Sequence, residues 1–136
     1  MRVFIDTNIL LDVVEQRTPH YADSLAVLER TGLKGDQVFM AWHTLANVFY
    51  IYGKKAGVAT ARQALQELLQ VITVATVGHT QALQAFTLGF DDLEDALQAV
   101  AAEACFAHCI ITRNAPDFAT SPVSVLTPKQ FLAQFP

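Results

Sequence analysis

The sequence predicts an α/β fold: a three-layer α/β/α sandwich around a central parallel sheet of four to five strands. Three observations carry this. Val3-Phe4-Ile5, Val38-Phe39-Met40 and Cys109-Ile110-Ile111 are short apolar runs of the kind that forms strands buried on both faces. Segments with apolar residues at helical spacing separate these runs. Strands that alternate with helices assemble into a parallel sheet covered on both sides.

In chain order, the first strand ends at Ile5 and a short helix follows through Leu10, Leu11 and Val14. Thr18-Pro19 has the form of an N-cap followed by proline at the first helical position, so a second helix is expected from Pro19 to about Gly32. Gln37 to Ala41 reads as the second strand. A helix over His43–Lys55 carries Leu45, Val48, Phe49 and Tyr52 at helical spacing, and another runs from Val58 to Leu69. Val71–Val74 is the third strand and His79–Phe86 a short helix. Asp91–Ala107 is the longest expected helix, with a stripe of small apolar residues that suits close packing on a sheet. Cys109–Thr112 is the fourth strand and Val123–Leu126 the fifth. Thr127-Pro128 then opens a last helix.

A chain of 136 residues is expected to form a single domain, residues 1–136, with a substantial core. Hydrophobic residues make up 52% and charged residues 16%, so self-association, as a homodimer, or docking through apolar surface is expected. The net charge of −4 provides no broad basic face, so a nucleic-acid substrate has to be held by metal, by a few cations or by a partner. Cys105 and Cys109 beside His108 supply too few ligands for a structural zinc. They read as buried reduced thiols, which fits a cytoplasmic protein. No leader-like segment precedes the first strand and no apolar run reaches membrane length.

Function is sought where strands end. Asp6 closes the first strand, at the carboxyl edge where open α/β sheets build their sites. Alone it reads equally as a helix cap. Asp91-Asp92-Leu93-Glu94-Asp95 opens the longest helix, where acids favour the positive end of the helix dipole. Asp95 also borders the apolar stripe, where a carboxylate is costly unless paired or bound to a cation. Thr112-Arg113-Asn114-Ala115-Pro116-Asp117 follows the fourth strand, with Asn114 and Asp117 one turn apart. Asp6, Asp95 and Asp117 thus come from three segments and can converge on one edge. Their repulsion would be relieved by a hard, oxygen-liganded divalent cation, which suits phosphodiester chemistry.

Three motifs carry a resemblance. Phe4-Ile5-Asp6-Thr7-Asn8-Ile9-Leu10-Leu11-Asp12, Leu93-Glu94-Asp95-Ala96-Leu97-Gln98 and Ile111-Thr112-Arg113-Asn114-Ala115-Pro116-Asp117-Phe118 occur in the order and spacing of the PIN-domain ribonucleases. These are best known as the VapC toxins of bacterial toxin–antitoxin modules. The sequence resembles that family over almost its whole length, which implies one PIN domain over residues 1–136. The resemblance implies Mg2+- or Mn2+-dependent RNA cleavage and an antitoxin protein as partner. Asp6, Asp95 and Asp117 match the catalytic and metal-ligating carboxylates, and Asn114 a further metal-ligand position. Thr7 and Asn8 are expected to orient Asp6, with Asn47, Glu94 and Thr112 in supporting places. Asn47 and Asn114 stand where relatives usually carry acids, so the same residues also suit a catalytically weakened PIN-like module that acts by protein or RNA binding.

Outside the motifs, Trp42, Phe49, Tyr50 and Tyr52 form an aromatic group on one helix. Trp42 and Tyr50 fall off its buried stripe. Arg113, His43, Lys54 and Lys55 are the candidates for RNA contact. A phosphoacceptor receiver domain, which shares the doubly wound pattern, is set aside: the third strand ends without an aspartate and the fifth without a lysine.

Overall fold

A computed structural model of the chain describes residues 1–136. Its strands are β1 (Arg2–Ile5), β2 (Gln37–Met40), β3 (Ile72–Val74), β4 (Cys109–Ile111) and β5 (Val125–Leu126). They form one sheet in the order β3-β2-β1-β4-β5, with every neighbouring pair parallel. β1 is central, pairing Val3 with Val38 on one side and Cys109 on the other. Strand order reverses between β1 and β4. A crevice opens beyond the carboxyl ends of strands at such a reversal, and ligands of α/β sheets bind there.

The helices are α1 (Thr7–Val14), α2 (Tyr21–Lys34), α3 (Trp42–Ala56), α4 (Val58–Leu68), α5 (His79–Ala85), α6 (Leu93–Ala104) and α7 (Pro128–Gln134). A 3-10 segment, Ala115–Phe118, follows β4. Strand alternation sorts the core into two layers. Val3, Ile5, Val38, Met40, Ile72, Cys109 and Ile111 face one side, packed by Ile9 and Leu10 of α1, Val27 of α2, Val48 of α3, Leu65 of α4 and Phe131 of α7. Phe4 and Ile110 face the other, against Ala99, Ala101 and Ala102 of α6 and Phe118. The alanine stripe brings α6 close to the sheet, and α5 packs on α6 from outside.

Element boundaries depart from expectation at both ends of α2 and both ends of α6, each for a local reason. Thr18, Pro19 and His20 lie in a turn, so α2 starts at Tyr21, with His20 rather than Thr18 before it. That helix passes Gly32 and ends where Gly35 takes a left-handed φ of 70°. α6 starts at Leu93 because Asp92 caps it, its Oδ1 accepting from the Asp95 amide at 3.2 Å. Asp91 and Asp92 therefore precede the helix and share no helical face with Asp95. α6 ends before Ala107, where Phe106 turns left-handed at φ 56°. The last helix follows the cap-then-proline reading, with Thr127 accepting from the Gln130 amide.

Cys105 and Cys109 are free and buried, and burial pushes the Cys109 thiol up to about 11. His108 Nδ1 accepts from the Arg2 amide at 2.9 Å. No helix is long and apolar enough to cross a membrane.

Candidate active site

Asp6 leaves the sheet at the centre of the crevice. Its amide donates to the Ile111 carbonyl at 3.0 Å, which extends the β1–β4 ladder by one residue and fixes the carboxylate's root. The residue is 1% exposed. A buried carboxylate is stable only when its oxygens are hydrogen-bonded. Here Oδ1 accepts from Gln98 Nε2 and Oδ2 from Thr112 Oγ1, both at 2.7 Å. Thr112 Oγ1 in turn accepts from the Asn114 amide at 3.0 Å, so one hydroxyl ties Asp6 to the turn that carries Asn114. The Asp117 amide donates to the Asn114 carbonyl at 2.9 Å and closes that turn.

Asp95 and Asp117, with Asp91 and Asp92, line one cleft of about 280 Å3 between the start of α6 and the 3-10 segment. The Asp95 carboxyl is pushed up to about 7, first by burial and then by the charges of Asp6, Asp92, Glu94 and Asp117. Burial and the charges of Asp6 and Asp92 also raise Glu94. The Asn47 amide sits against Glu94, outside regular hydrogen-bond geometry, and favours its charged form. The carboxylates are thus within electrostatic reach of one another. No three His, Cys, Asp or Glu side chains are gathered tightly enough to hold a metal ion as they stand. In donor chemistry the set fits a hard cation, since it offers oxygens whose mutual repulsion has no cationic partner among the groups that shift Asp95. In spacing it requires side-chain closure or bridging water.

Thr112 supports Asp6 as expected, whereas two other supporting residues fall differently. Thr7 does not orient Asp6: its hydroxyl pairs with Thr44 at 2.9 Å and joins the starts of α1 and α3. Asn8 makes no hydrogen bond to Asp6, whose two oxygens are taken by Gln98 and Thr112. Gln98 is the residue that sequence reasoning passed over. The signal was a lone amide inside the apolar stripe, three residues after Asp95 and four after Glu94, hence on their face of α6.

The candidate RNA contacts also separate. Arg113 donates from Nε to Asp12 Oδ2 at 2.8 Å and from Nη2 to Oδ1 at 3.2 Å, while Ser24 Oγ donates to Oδ2 at 2.9 Å. Asp12 is fully buried, so this guanidinium first neutralises an interior charge and anchors the Thr112–Asn114 turn to α1 and α2. Lys54 lies over the Tyr50 ring at 4.4 Å, and Lys55 pairs with Glu15 at 3.7 Å. Both stand near the end of α3, roughly 17 Å along its axis from His43. His43 stays beside the site, but its Nε2 is buried without a partner and burial lowers its pKa against the raising effect of Asp6. A neutral imidazole in that position is poorly suited to phosphate.

A larger cavity, about 600 Å3, lies elsewhere, over Gln37, Phe39, Thr73 and Phe106. Its one guanidinium, Arg2, already donates to the Cys105 carbonyl and lies over Phe39. No catalytic set faces it.

A five-stranded parallel sheet in this order, with buried acid at the reversal and more acid on α6 and after β4, defines a PIN-like α/β/α domain. The chain belongs to the PIN domain family, which matches residues 2–115. Among solved structures it is similar to VapBC2 from Rickettsia felis, solved bound to a DNA fragment from its promoter. That match has 18% identity and a TM-score of 0.75 over 93% of this chain and 98% of that one. A toxin–antitoxin complex from Klebsiella pneumoniae matches at 25% identity and TM-score 0.70, over 93% and 97%. VapC20 of Mycobacterium tuberculosis, described as a toxin that cleaves the sarcin–ricin loop, matches at 16% identity and TM-score 0.63, over 79% and 86%. No curated protein matches the sequence.

Proposed function

We propose that the protein is a metal-dependent endoribonuclease and the toxin of a toxin–antitoxin module. The observation that carries the reading is Asp95, a carboxyl raised to about 7 by burial and by four neighbouring acids at the sheet reversal. Such an arrangement costs stability in the free protein and is relieved by a divalent cation.

Asp6, Asp95 and Asp117 are the residues assigned to hold Mg2+ or Mn2+, with Asn114 as a neutral oxygen donor. When bound, the ion supplies an activated water and offsets charge that develops on phosphate oxygens. Gln98 and Thr112 hold the Asp6 carboxylate in one orientation. Glu94, with Asn47 against it, adds negative potential at the edge of the set. The Arg113–Asp12 pair holds the turn that carries Asn114 and Asp117.

RNA is the proposed substrate, an antitoxin protein the proposed partner, and the cytoplasm the proposed location. Family membership and the toxin–antitoxin complexes among the matching structures support the partner. The description of VapC20 as cleaving the sarcin–ricin loop supports an RNA substrate. A homodimer is proposed from apolar side chains left open at Leu33, Phe86 and Phe106.

One observation favours a second reading, a PIN module that binds without cleaving: the acids stand too far apart to grip an ion as they are, and amides, Asn114 at a ligand position and Asn47 beside it, bring no charge to draw one in. Calorimetric titration with Mn2+ and cleavage of a labelled single-stranded RNA separate the readings. The ribonuclease reading expects metal binding and chelator-sensitive cleavage. Neither, at any metal concentration, leaves the binding module.

A further inference from the structure

The two edges of the sheet are guarded differently. An open edge presents unpaired amides and carbonyls to other strands, and stable proteins blunt it with charge, proline or very short strands. β5 is two residues long, and Pro122 and Pro128 bracket it. β3 is nearly as short, yet it lies in the run Val71-Ile72-Thr73-Val74-Ala75-Thr76-Val77. That run has no charge, proline or glycine, and six of its seven residues are β-branched, the composition that favours pairing. No Lys, Arg, Asp or Glu stands anywhere between Glu67 and Asp91.

The backbone is set for a further strand. The Ala75 amide donates to the Met40 carbonyl at 2.9 Å, and Thr73 stands opposite Phe39 in the β2–β3 ladder. Alternation therefore turns the main-chain groups of Thr73 and Ala75 toward β2 and those of Ile72 and Val74 outward. No strand of this chain lies on that side. Hollows follow the edge. Val71, Thr73 and Phe106 line the cavity of about 600 Å3, and Trp42 and Val77 border another of about 420 Å3. Val71, Phe106 and Trp42 are 71%, 77% and 70% exposed. Phe106 also holds a left-handed backbone at φ 56°, which a bulky residue adopts at a cost.

We propose that β3 pairs antiparallel with β3 of a second copy, across a two-fold axis at Thr73, and joins two five-stranded sheets into one. The proposal rests on the homodimer reading and adds its surface and register; it does not depend on the ribonuclease reading. Two-fold dimers are the commonest homo-oligomers, and they set one patch against itself. A charged patch would meet its own charge, whereas this run carries none. With Thr73 on the axis, Ile72 and the partner's Val74 exchange main-chain hydrogen bonds, and so do Val74 and the partner's Ile72. Thr73 faces the partner's Thr73, a favourable cross-strand pair, and Val71 falls opposite the partner's Ala75. Antiparallel pairing points the two carboxyl edges in opposite directions, so each acidic cleft opens on its own side of the joined sheet.

Light scattering over a dilution series tests the mass, and hydrogen exchange by NMR tests the strand. A dimer is expected, with the Ile72 and Val74 amides protected at high protein concentration and exchanging freely on dilution. The Ala75 amide, bonded within the chain, should stay protected throughout. A non-hydrogen-bonded antiparallel pair holds its Cα atoms ~4.5 Å apart, within disulfide reach. Thr73→Cys is therefore expected to give a cross-linked dimer on oxidation. Thr76→Cys, which the register sets opposite the partner's Gln70, should not. Thr73→Lys brings two like charges together on the axis and should shift the mass to that of a single chain. Its side chain is exposed in the monomer, so the urea midpoint of the monomeric variant should match that of diluted wild type.

A monomer at every concentration overturns both the proposal and the homodimer reading. A dimer that withstands Thr73→Lys, leaves Val74 exchanging freely and yields no Thr73→Cys cross-link overturns the edge pairing alone, and moves the dimer contact to Leu33 or Phe86. Protection of Val74 only when a different protein is added overturns it as well, and assigns the edge to a strand of that protein.

Discussion

Gln98 Nε2 donates to Asp6 Oδ1 at 2.7 Å across 92 residues of sequence, and both side chains are buried. Replacing Gln98 with Leu removes a donor from a carboxylate that water cannot reach. The unpaired acceptor costs about 1–3 kcal/mol. Loss of the orphaned Gln98 Oε1 offsets part of this. Urea unfolding of Gln98→Leu is expected to show a lower midpoint with an unchanged slope. Metal affinity should fall alongside. A variant as stable and as metal-competent as wild type would mean that Thr112 alone suffices to hold Asp6.

Asp6→Asn is expected to keep the fold and abolish cleavage. An asparagine can accept from Gln98 through its oxygen and donate to Thr112 Oγ1 through its nitrogen, so both present contacts have a counterpart. It also removes a charge that raises Asp95 and Glu94. Carboxyl titration by NMR should find Asp95 in the variant well below its wild-type value of about 7. If Asp95 does not move, Asp6 is not electrostatically part of the set. Equal RNA cleavage by variant and wild type would point to a contaminating nuclease.

The raised Asp95 has a definite sign in pH. Its carboxyl keeps its proton to about 7 in the folded chain and to about 3.8 in the unfolded one. The folded state therefore binds more protons between those values, and stability falls as pH rises from about 4 to about 7. Below that window the group has no effect, and above it the loss is complete. Thermal unfolding in chelator should show this decline. Mg2+ competes with the proton, so its affinity should rise through the same window. Calorimetry near pH 6.5 in buffers of different ionisation enthalpy should detect proton release on binding. Pure carboxylate ligation with ordinary acidities would release almost none.

Arg113→Met breaks the pair with Asp12. Removing one partner of a buried ion pair costs about 3–5 kcal/mol. The lower end applies here because Ser24 still donates to Asp12 and Arg113 is partly exposed. Asp12→Asn with Arg113→Met should recover part of the loss, since no buried charge is then left over. If Arg113→Met is as stable as wild type but binds RNA with a shallower salt dependence, the arginine serves phosphate rather than Asp12.

Much of this was legible before any coordinates. Strand cores such as Val3-Phe4-Ile5 announce themselves because burial on both faces leaves no room for polar residues. Alternation then dictates parallel pairing and puts every strand-end acid on one edge. The partners of those acids were not legible. Thr7 sits beside Asp6 in sequence but bonds to Thr44, and Gln98 is remote in sequence but bonds to Asp6. Side-chain direction at a strand-to-helix junction depends on how helices rotate against the sheet, which no single segment specifies. Arg113 misled for a related reason. A cation in a loop reads as free until the buried acid it neutralises, Asp12 on another element, is known. The α6 start was misplaced because Asp92 serves equally as a first-turn acid or as a cap, and only its bond to the Asp95 amide decides.

The route of the chain through the sheet has a consequence for biosynthesis. Asp6 leaves the ribosome well before its partners, so its amide waits for Ile111 and its carboxylate for Gln98 and Thr112. β1 cannot complete its pairing until β4 exists. Chains stopped short of Thr112 are therefore expected to leave the Asp6 amide open to hydrogen exchange, while full-length chains protect it. A nascent chain that is still being translated carries the pieces of the acidic centre without the centre itself. Assembly is deferred until Thr112 has been added by a machine that is itself built of RNA.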